Sequence, residues 1–161
     1  MTQTHIHLLI THLPIFGSVF GGLLLGYGLW VKSNHTILSA YFLLIISTIG
    51  SVIAYLTGEE ASELVEKIPG INKAMIETHE EFALVALVSL IILGTASLLG
   101  VFLTLKNTLI SRTFATVTLV ASFISFGLIA RTGYLGGQIR HTEISSAVTN
   151  PTYKTEKDND D

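Results

Sequence analysis

The chain has 161 residues, of which 49% are apolar and only 13% are charged, and its formal net charge is −3. Soluble domains carry about 25% charged residues, so this composition favours a single membrane domain. The acidic balance, with no basic stripe, argues against nucleic acid as a partner. Because the chain has no cysteine, disulfides, cysteine zinc sites, iron–sulfur clusters and covalently attached c-type haem are excluded.

Four apolar stretches are long enough to cross a membrane. A helix needs about 20 apolar residues to span a hydrocarbon core of about 30 Å. The stretches run from about 13 to 31, 37 to 56, 82 to 105 and 109 to 130. None of them has a charged residue in its central part. The sequence therefore predicts an all-α, four-helix transmembrane bundle, with the lipid bilayer as its surroundings.

The connections between these stretches predict the topology. Residues 32–35 and 106–108 are short turns, which make sequential helices antiparallel and favour an up-down-up-down bundle. The connection 57–81 is longer, with a short interfacial helix expected at 61–68 and Asn72 expected to cap the third helix. Residues 1–142 are expected to form one domain, and the polar segment 143–161 is expected to be disordered.

Glycines and serines at regular spacing indicate where the helices touch. Gly17 and Gly21 are four residues apart, as are Gly22 and Gly26, and small residues recur in the third and fourth helices. Membrane helices associate through such close packing.

The positions of lysine and arginine predict the orientation. The two short turns carry Lys32, Lys106 and Arg112 and no acid, whereas all 12 acidic residues fall at the other face. Cytoplasmic loops are enriched in lysine and arginine. We therefore expect an integral protein of the bacterial inner membrane with both termini in the periplasm.

An up-down-up-down bundle brings one set of polar residues, distant in sequence, to the face that holds the termini. Taken singly, each is typical of an ordinary interfacial residue, but their convergence from all four helices favours a functional site. The set comprises His7, His12, Glu59, Glu60, His79, Glu80, Glu81, Arg131, Tyr134, Arg140 and His141.

A b-type haem is the first interpretation of this set. His12 and His79 on facing helices would hold the haem iron, as in other haem-binding bundles. His7 and His141 remain for a second haem or for propionate contacts. Arg131 and Arg140 would pair with propionates. His7 and His12 are five residues apart, so on one helix they point about 140° apart and would serve different partners.

Two further interpretations stay open. A zinc, iron or manganese ion would suit a site made of His7, Glu59, Glu60 and Glu80. A quinone pocket is the other, because histidine, tyrosine and carboxylate at a membrane edge can exchange protons with a quinone.

The ordered set of motifs resembles a small bacterial four-helix membrane family, catalogued as domain of unknown function 2231. His7-x4-His12-Leu13-Pro14-Ile15 is similar to its HPxxVHFPI-type opening, although Leu8 stands where that family has proline. Thr57-Gly58, His79-Glu80 and Thr132-Gly133-x-x-Gly136-Gly137 followed by His141 continue the likeness. It covers about residues 5 to 142.

The resemblance implies membrane electron transfer, partly because some members of that family are found with Rieske iron–sulfur modules. We therefore expect a b-type cytochrome or a quinone-linked electron-transfer subunit, with its redox site near the outer face. A Rieske or c-type cytochrome protein is the expected partner. No nucleophile or general base is identifiable, so catalysis by the chain alone is not predicted. The alternative is a non-redox metal-binding or structural subunit of a larger membrane complex.

Overall fold

In a computed structural model, residues 3–66 and 72–140 are described, and they form five helices. These are α1 (Gln3–Ile10), α2 (His12–Trp30), α3 (Asn34–Glu66), α4 (Lys73–Leu105) and α5 (Ser111–Arg140). Helix α2 packs on α3 and α5, α3 packs on α4, and α4 packs on α5, which closes a four-helix bundle. Helix α1 continues the direction of α2 and packs mainly on α3. The predicted all-α four-helix bundle is confirmed.

Helices α1 and α2 are separated by a one-residue break at Thr11. The Thr11 amide still donates to the His7 carbonyl at 3.0 Å. Pro14 explains the break, because it has no N–H to donate to the carbonyl of Ile10 and its ring crowds that carbonyl. The N-terminal helix therefore begins before the predicted residue 13 and is interrupted where proline requires it.

Two tight turns lie together at one end of the bundle. Lys32 and Asn107 both have positive φ, 57° and 48°, the left-handed conformation that commonly follows a helix. The Asn34 Nδ2 donates to Asn107 Oδ1 at 2.9 Å, which joins the two turns. The opposite end is formed by α1, the end of α3, the start of α4 and the end of α5.

The helices extend well beyond the predicted apolar stretches. Helix α3 continues to Glu66 rather than 56, α4 begins at Lys73 rather than 82, and α5 continues to Arg140 rather than 130. Charged residues end an apolar run, but glutamate, alanine, leucine and lysine remain good helix formers. The predicted separate helix at 61–68 is therefore wrong for residues 61–66, which belong to α3. Residues 67–71 and the predicted tail at 143–161 lie outside the described residues.

Asn72 caps α4 as predicted, since its side chain accepts a hydrogen bond from the Ala74 amide at 3.0 Å.

Small residues allow the helices to pack closely. A Cβ at Gly17 would come within 2.7 Å of Ser47 Cβ, and one at Gly94 within 2.5 Å of Thr48 Oγ1. The Thr48 hydroxyl donates to the Leu90 carbonyl at 2.8 Å and so connects α3 to α4. The buried core lies in the half of the bundle near the two turns and consists of Leu25, Ile37, Ala40, Tyr41, Leu44, Leu90, Leu93 and Ala115.

Four helical segments are long and apolar enough to cross a membrane: His5–Trp30, Asn34–Glu66, Lys73–Leu105 and Ser111–Ile139. A helix of 33 residues is about 50 Å long, which exceeds a hydrocarbon core of about 30 Å. The polar ends of α3 and α4 would therefore project beyond such a core at the end opposite the turns.

Candidate functional site

A cavity of about 320 Å³ opens at the end of the bundle opposite the turns. Five helices contribute to it, and most of its lining residues are apolar or small. The lining residues are His7, Thr11, Pro14, Ile15, Ser51, Ala54, Tyr55, Leu56, Gly58, Glu59, Ser62, His79, Glu80, Ala83, Leu87, Ile129, Thr132 and Gly133. The volume lies at the lower end of the range of about 300–1,000 Å³ that small-molecule sites occupy.

His7 reaches this cavity from α1 and is held by α3. Its Nδ1 lies 2.8 Å from the carbonyl oxygen of Ala54. A carbonyl can only accept, so Nδ1 carries the proton and donates. The ring packs over Gly58, one turn further along α3, where a Cβ would come within 3.2 Å of the His7 Cε1. The Thr57 hydroxyl lies 3.4 Å from the same Nδ1.

His79 reaches the cavity from α4 and is held by α5 in the same way. Its Nδ1 donates to the carbonyl oxygen of Thr132 at 3.0 Å. The ring packs over Gly136, one turn further along α5, where a Cβ would come within 3.0 Å of the His79 Cε1. Glycine is unfavourable inside a helix by about 1 kcal/mol relative to alanine. At position 136 it gives the imidazole space to reach the backbone.

The two contacts have the same construction: a histidine of one helix donates to a carbonyl of another helix and packs on the glycine four residues after that carbonyl. The pairs are His7 with Ala54 and Gly58, and His79 with Thr132 and Gly136. Because Nδ1 donates in both rings, Nε2 is the unprotonated nitrogen of each neutral imidazole. In that form the site has two acceptor Nε2 atoms, one from His7 on α1 and one from His79 on α4.

Two carboxylates stand among the cavity-lining residues, Glu59 on α3 and Glu80 on α4. Both are exposed, so they lie at the mouth. No lysine or arginine lines the cavity within the part of the chain that the structure describes. A second, more open recess of about 390 Å³ adjoins this mouth and is lined by Leu56, Glu59, Glu60 and Glu63.

His12 and His79, the predicted haem ligands, are not brought together in the cavity, because His79 lines it and His12 does not. The side chain of His12 is exposed, its Nδ1 donates to the Leu8 carbonyl at 3.1 Å, and its ring stacks on Phe16. Phe16 in turn stacks on Phe20, and both are about half exposed. The predicted divergence of His7 and His12 is present, but the aromatic side of α2 faces outward and His7 is the residue that reaches the cavity.

Arg131, predicted to pair with propionates, lies outside the cavity lining. Its guanidinium carbon is 5.8 Å from the Phe82 ring centroid and 5.5 Å from that of Tyr134. This cation–π stacking is typical of arginine beside aromatic rings. Arg140 ends α5, and the position of its side chain is outside the description, as is the whole of His141.

The structure does not bring all four residues of the predicted metal site into the cavity, since His7, Glu59 and Glu80 line it and Glu60 does not. Among residues 3–66 and 72–140, no three histidine, aspartate or glutamate side chains are grouped so that they could hold one metal ion. Glu60 faces the outer recess rather than the cavity. The reason is the extended α3 helix, which places successive residues Glu59 and Glu60 about 100° apart around its axis.

Several residues of the site were not predicted as such. The carbonyls of Ala54 and Thr132 could not be predicted as acceptors from the sequence, because every residue has a carbonyl. Gly58 and Gly136 did carry a signal, since they fall in two of the motifs on which the family resemblance rests. Comparison with models of protein families, with curated proteins and with solved structures gives no match for this chain.

Proposed function

We propose that the chain is a membrane-embedded, quinone-linked electron-transfer subunit that binds a quinol in the cavity between His7 and His79. The observation that carries this proposal is the pair of cavity-lining imidazoles, each of which donates from Nδ1 to a helix carbonyl, so that Nε2 is the acceptor in the neutral form of the ring. A quinol has two hydroxyl groups on a flat apolar ring. Two basic nitrogens in a cavity with apolar walls match both properties.

The proposed oxidation of the quinol uses the neutral form of the two rings, in which Nε2 can accept a proton. Oxidation of a quinol to a quinone releases two electrons and two protons. His7 and His79 would each accept one hydroxyl proton at Nε2, which is general base catalysis by histidine. The two electrons pass to one-electron acceptors in a partner protein, for which iron centres of a Rieske or c-type cytochrome protein are the expected class.

The same two histidines fit the axial ligands of a b-type haem, because an iron-binding imidazole commonly donates its other N–H to a carbonyl. The rest of the cavity does not fit haem as well. Haem propionates are anionic and pair with cations, whereas Glu59 and Glu80 are the charged residues at the mouth. A neutral quinol meets no such repulsion. The charge of the lining therefore favours the quinol over the haem.

The location of the protein is part of the proposal. The four long apolar helices would cross a bacterial inner membrane, with the cavity at the periplasmic face together with both termini. Lys32, Lys106 and Arg112 would then lie on the cytoplasmic side, where the positive-inside rule expects them. A periplasmic electron acceptor would dock near the mouth of the cavity.

The test is to purify the full chain from bacterial membranes in mild detergent and measure its quinone and haem content in the same sample. We expect about one extractable quinone per chain. His7→Ala and His79→Ala each leave a quinol hydroxyl without an acceptor, so the affinity for short-chain menaquinol should fall about tenfold or more. His12→Ala is the matched control, because this histidine lies outside the cavity, and it should bind quinol as the wild type does.

Other results would overturn the proposal in distinguishable ways. A b-type haem spectrum that is lost in His7→Ala and His79→Ala, without quinone, would identify the cavity as a haem site. A folded protein with neither group would indicate a structural subunit of a larger membrane complex. Equal loss of quinol in His12→Ala would show that the cavity is not the binding site.

A further inference from the structure

Glu59 stands between the quinol cavity and water. It lines the cavity together with His7 and His79, and it also lines the outer recess together with Glu60 and Glu63. Leu56 is the other residue common to both. Of the two carboxylates that line the cavity, Glu59 is the one that continues into this recess, whereas Glu80 is not part of its lining.

The hydrogen bonding of His7 makes Nε2 the ring atom from which a proton can be released. Nδ1 is already protonated and donates to the Ala54 carbonyl at 2.8 Å, which cannot accept a proton for onward transfer. A proton gained at Nε2 must therefore leave from Nε2. The neighbouring ring atom Cε1 packs directly over Gly58, the residue that precedes Glu59.

We propose that Glu59 is the proton acceptor for His7 and delivers that proton to water through the recess lined by Glu60 and Glu63; this inference rests on the proposed quinol site. In this sequence the quinol hydroxyl loses its proton to His7 Nε2 as its electrons leave. The protonated imidazole then passes the proton across the cavity that both residues line to the Glu59 carboxylate, which restores the neutral ring. Glu59 finally loses the proton to water, so one proton appears outside for each one that His7 accepts.

The experiment measures oxidation and proton release in one reaction. The full chain in detergent is loaded with short-chain menaquinol without oxygen, freed of unbound quinol, and mixed rapidly with ferricyanide. One quinol and two ferricyanide ions give one quinone, two ferrocyanide ions and two protons. Quinone formation is followed by ultraviolet absorbance, and proton release by a pH indicator in weakly buffered solution.

Glu59→Gln should bind menaquinol as the wild type does, but one of the two protons should be released about 100-fold or more slowly, the size of a lost acid–base step. Quinone formation is the internal reference, because in this single turnover His7 itself takes the proton as the electrons leave. Glu60→Gln is the matched control, because it removes the same charge from the recess without touching the cavity lining. Loss of a negative charge favours the approach of ferricyanide, so electrostatics alone predicts faster oxidation in both variants. Glu59→Asp keeps the carboxylate and should recover most of the rate of proton release.

The outcomes separate the two proposals. Proton release at the wild-type rate in Glu59→Gln, with quinol bound, would overturn the role of Glu59 and leave the quinol site intact. Equal slowing of proton release in Glu60→Gln would also overturn that role. So would a Glu59→Gln protein that no longer binds menaquinol. A wild-type protein that binds no menaquinol would overturn the quinol site itself, and the role of Glu59 with it.

Discussion

The imidazole of His79 lies so close to Gly136 that a Cβ at position 136 would come within 3.0 Å of its Cε1. Real Cβ contacts are rarely so short, so one of the two groups must move if position 136 gains a side chain. The same ring is fixed by its hydrogen bond to the Thr132 carbonyl. The geometry of the candidate site therefore depends on the absence of a side chain at position 136.

Gly136→Ala should displace His79 and weaken menaquinol binding about tenfold or more, because a hydrogen-bonding group at the site loses its alignment. Gly137→Ala is the control, since a Cβ there would meet nothing within 4 Å. Alanine is the better helix former, so Gly137→Ala should bind as the wild type does. Menaquinol titration of the two variants measures the difference, and equal affinities would contradict the packing of His79 on Gly136.

A second prediction concerns the contact between α3 and α4. Gly94→Ala should lower the free energy of unfolding by about 1–3 kcal/mol, the usual cost of overpacking. The added Cβ would meet the Thr48 side chain at 2.5–2.8 Å, and Thr48 is held by its hydrogen bond to the Leu90 carbonyl. Reversible unfolding in mixed micelles would measure this. Gly127→Ala, where a Cβ meets nothing within 4 Å, should not destabilise the protein.

A third prediction concerns the start of α4. Asn72→Ala removes the side chain that accepts from the Ala74 amide, so we expect a loss of about 1 kcal/mol. Lys73→Ala is the neighbouring control. It removes an exposed ion pair with Glu66 at 3.2 Å, and such pairs contribute little. Unfolding of both variants under the same conditions tests the cap, and an equal effect of the two substitutions would argue against it.

The helix count could be predicted because each apolar run is long enough to cross a membrane. The ends of the helices could not, because hydropathy reports where a helix would meet lipid and not where its hydrogen bonding stops. Helix α3 ends at Glu66 and α4 begins at Lys73, both of which are charged residues. Helix α5 continues through Gly136, and the ring of His79 occupies the space that a side chain at this position would need.

The candidate site could be predicted only in part. Topology alone brings His79 and Glu59 to one end of the bundle. It does not decide whether His7 or His12 faces inward, because that depends on the rotation of the N-terminal helix. Phe16 and Phe20 beside His12 favoured this histidine, whereas His7 is the one that lines the cavity. In a membrane bundle an aromatic stripe fits the lipid-facing side as well as a cofactor pocket.

The orientation of the chain gives a final prediction, which the lack of cysteine makes simple to test. Single cysteines at Glu63, beside the outer recess, and at Asn107, in the turn at the other end, should be labelled from opposite sides of the membrane. In intact spheroplasts a membrane-impermeant maleimide should modify Glu63→Cys, whereas Asn107→Cys should react only after permeabilisation. Both positions are exposed, so burial would not explain a lack of reaction. The reverse pattern would place the cavity on the cytoplasmic side, where a periplasmic electron acceptor could not reach it, and labelling of both from outside would show that the helices do not cross the membrane.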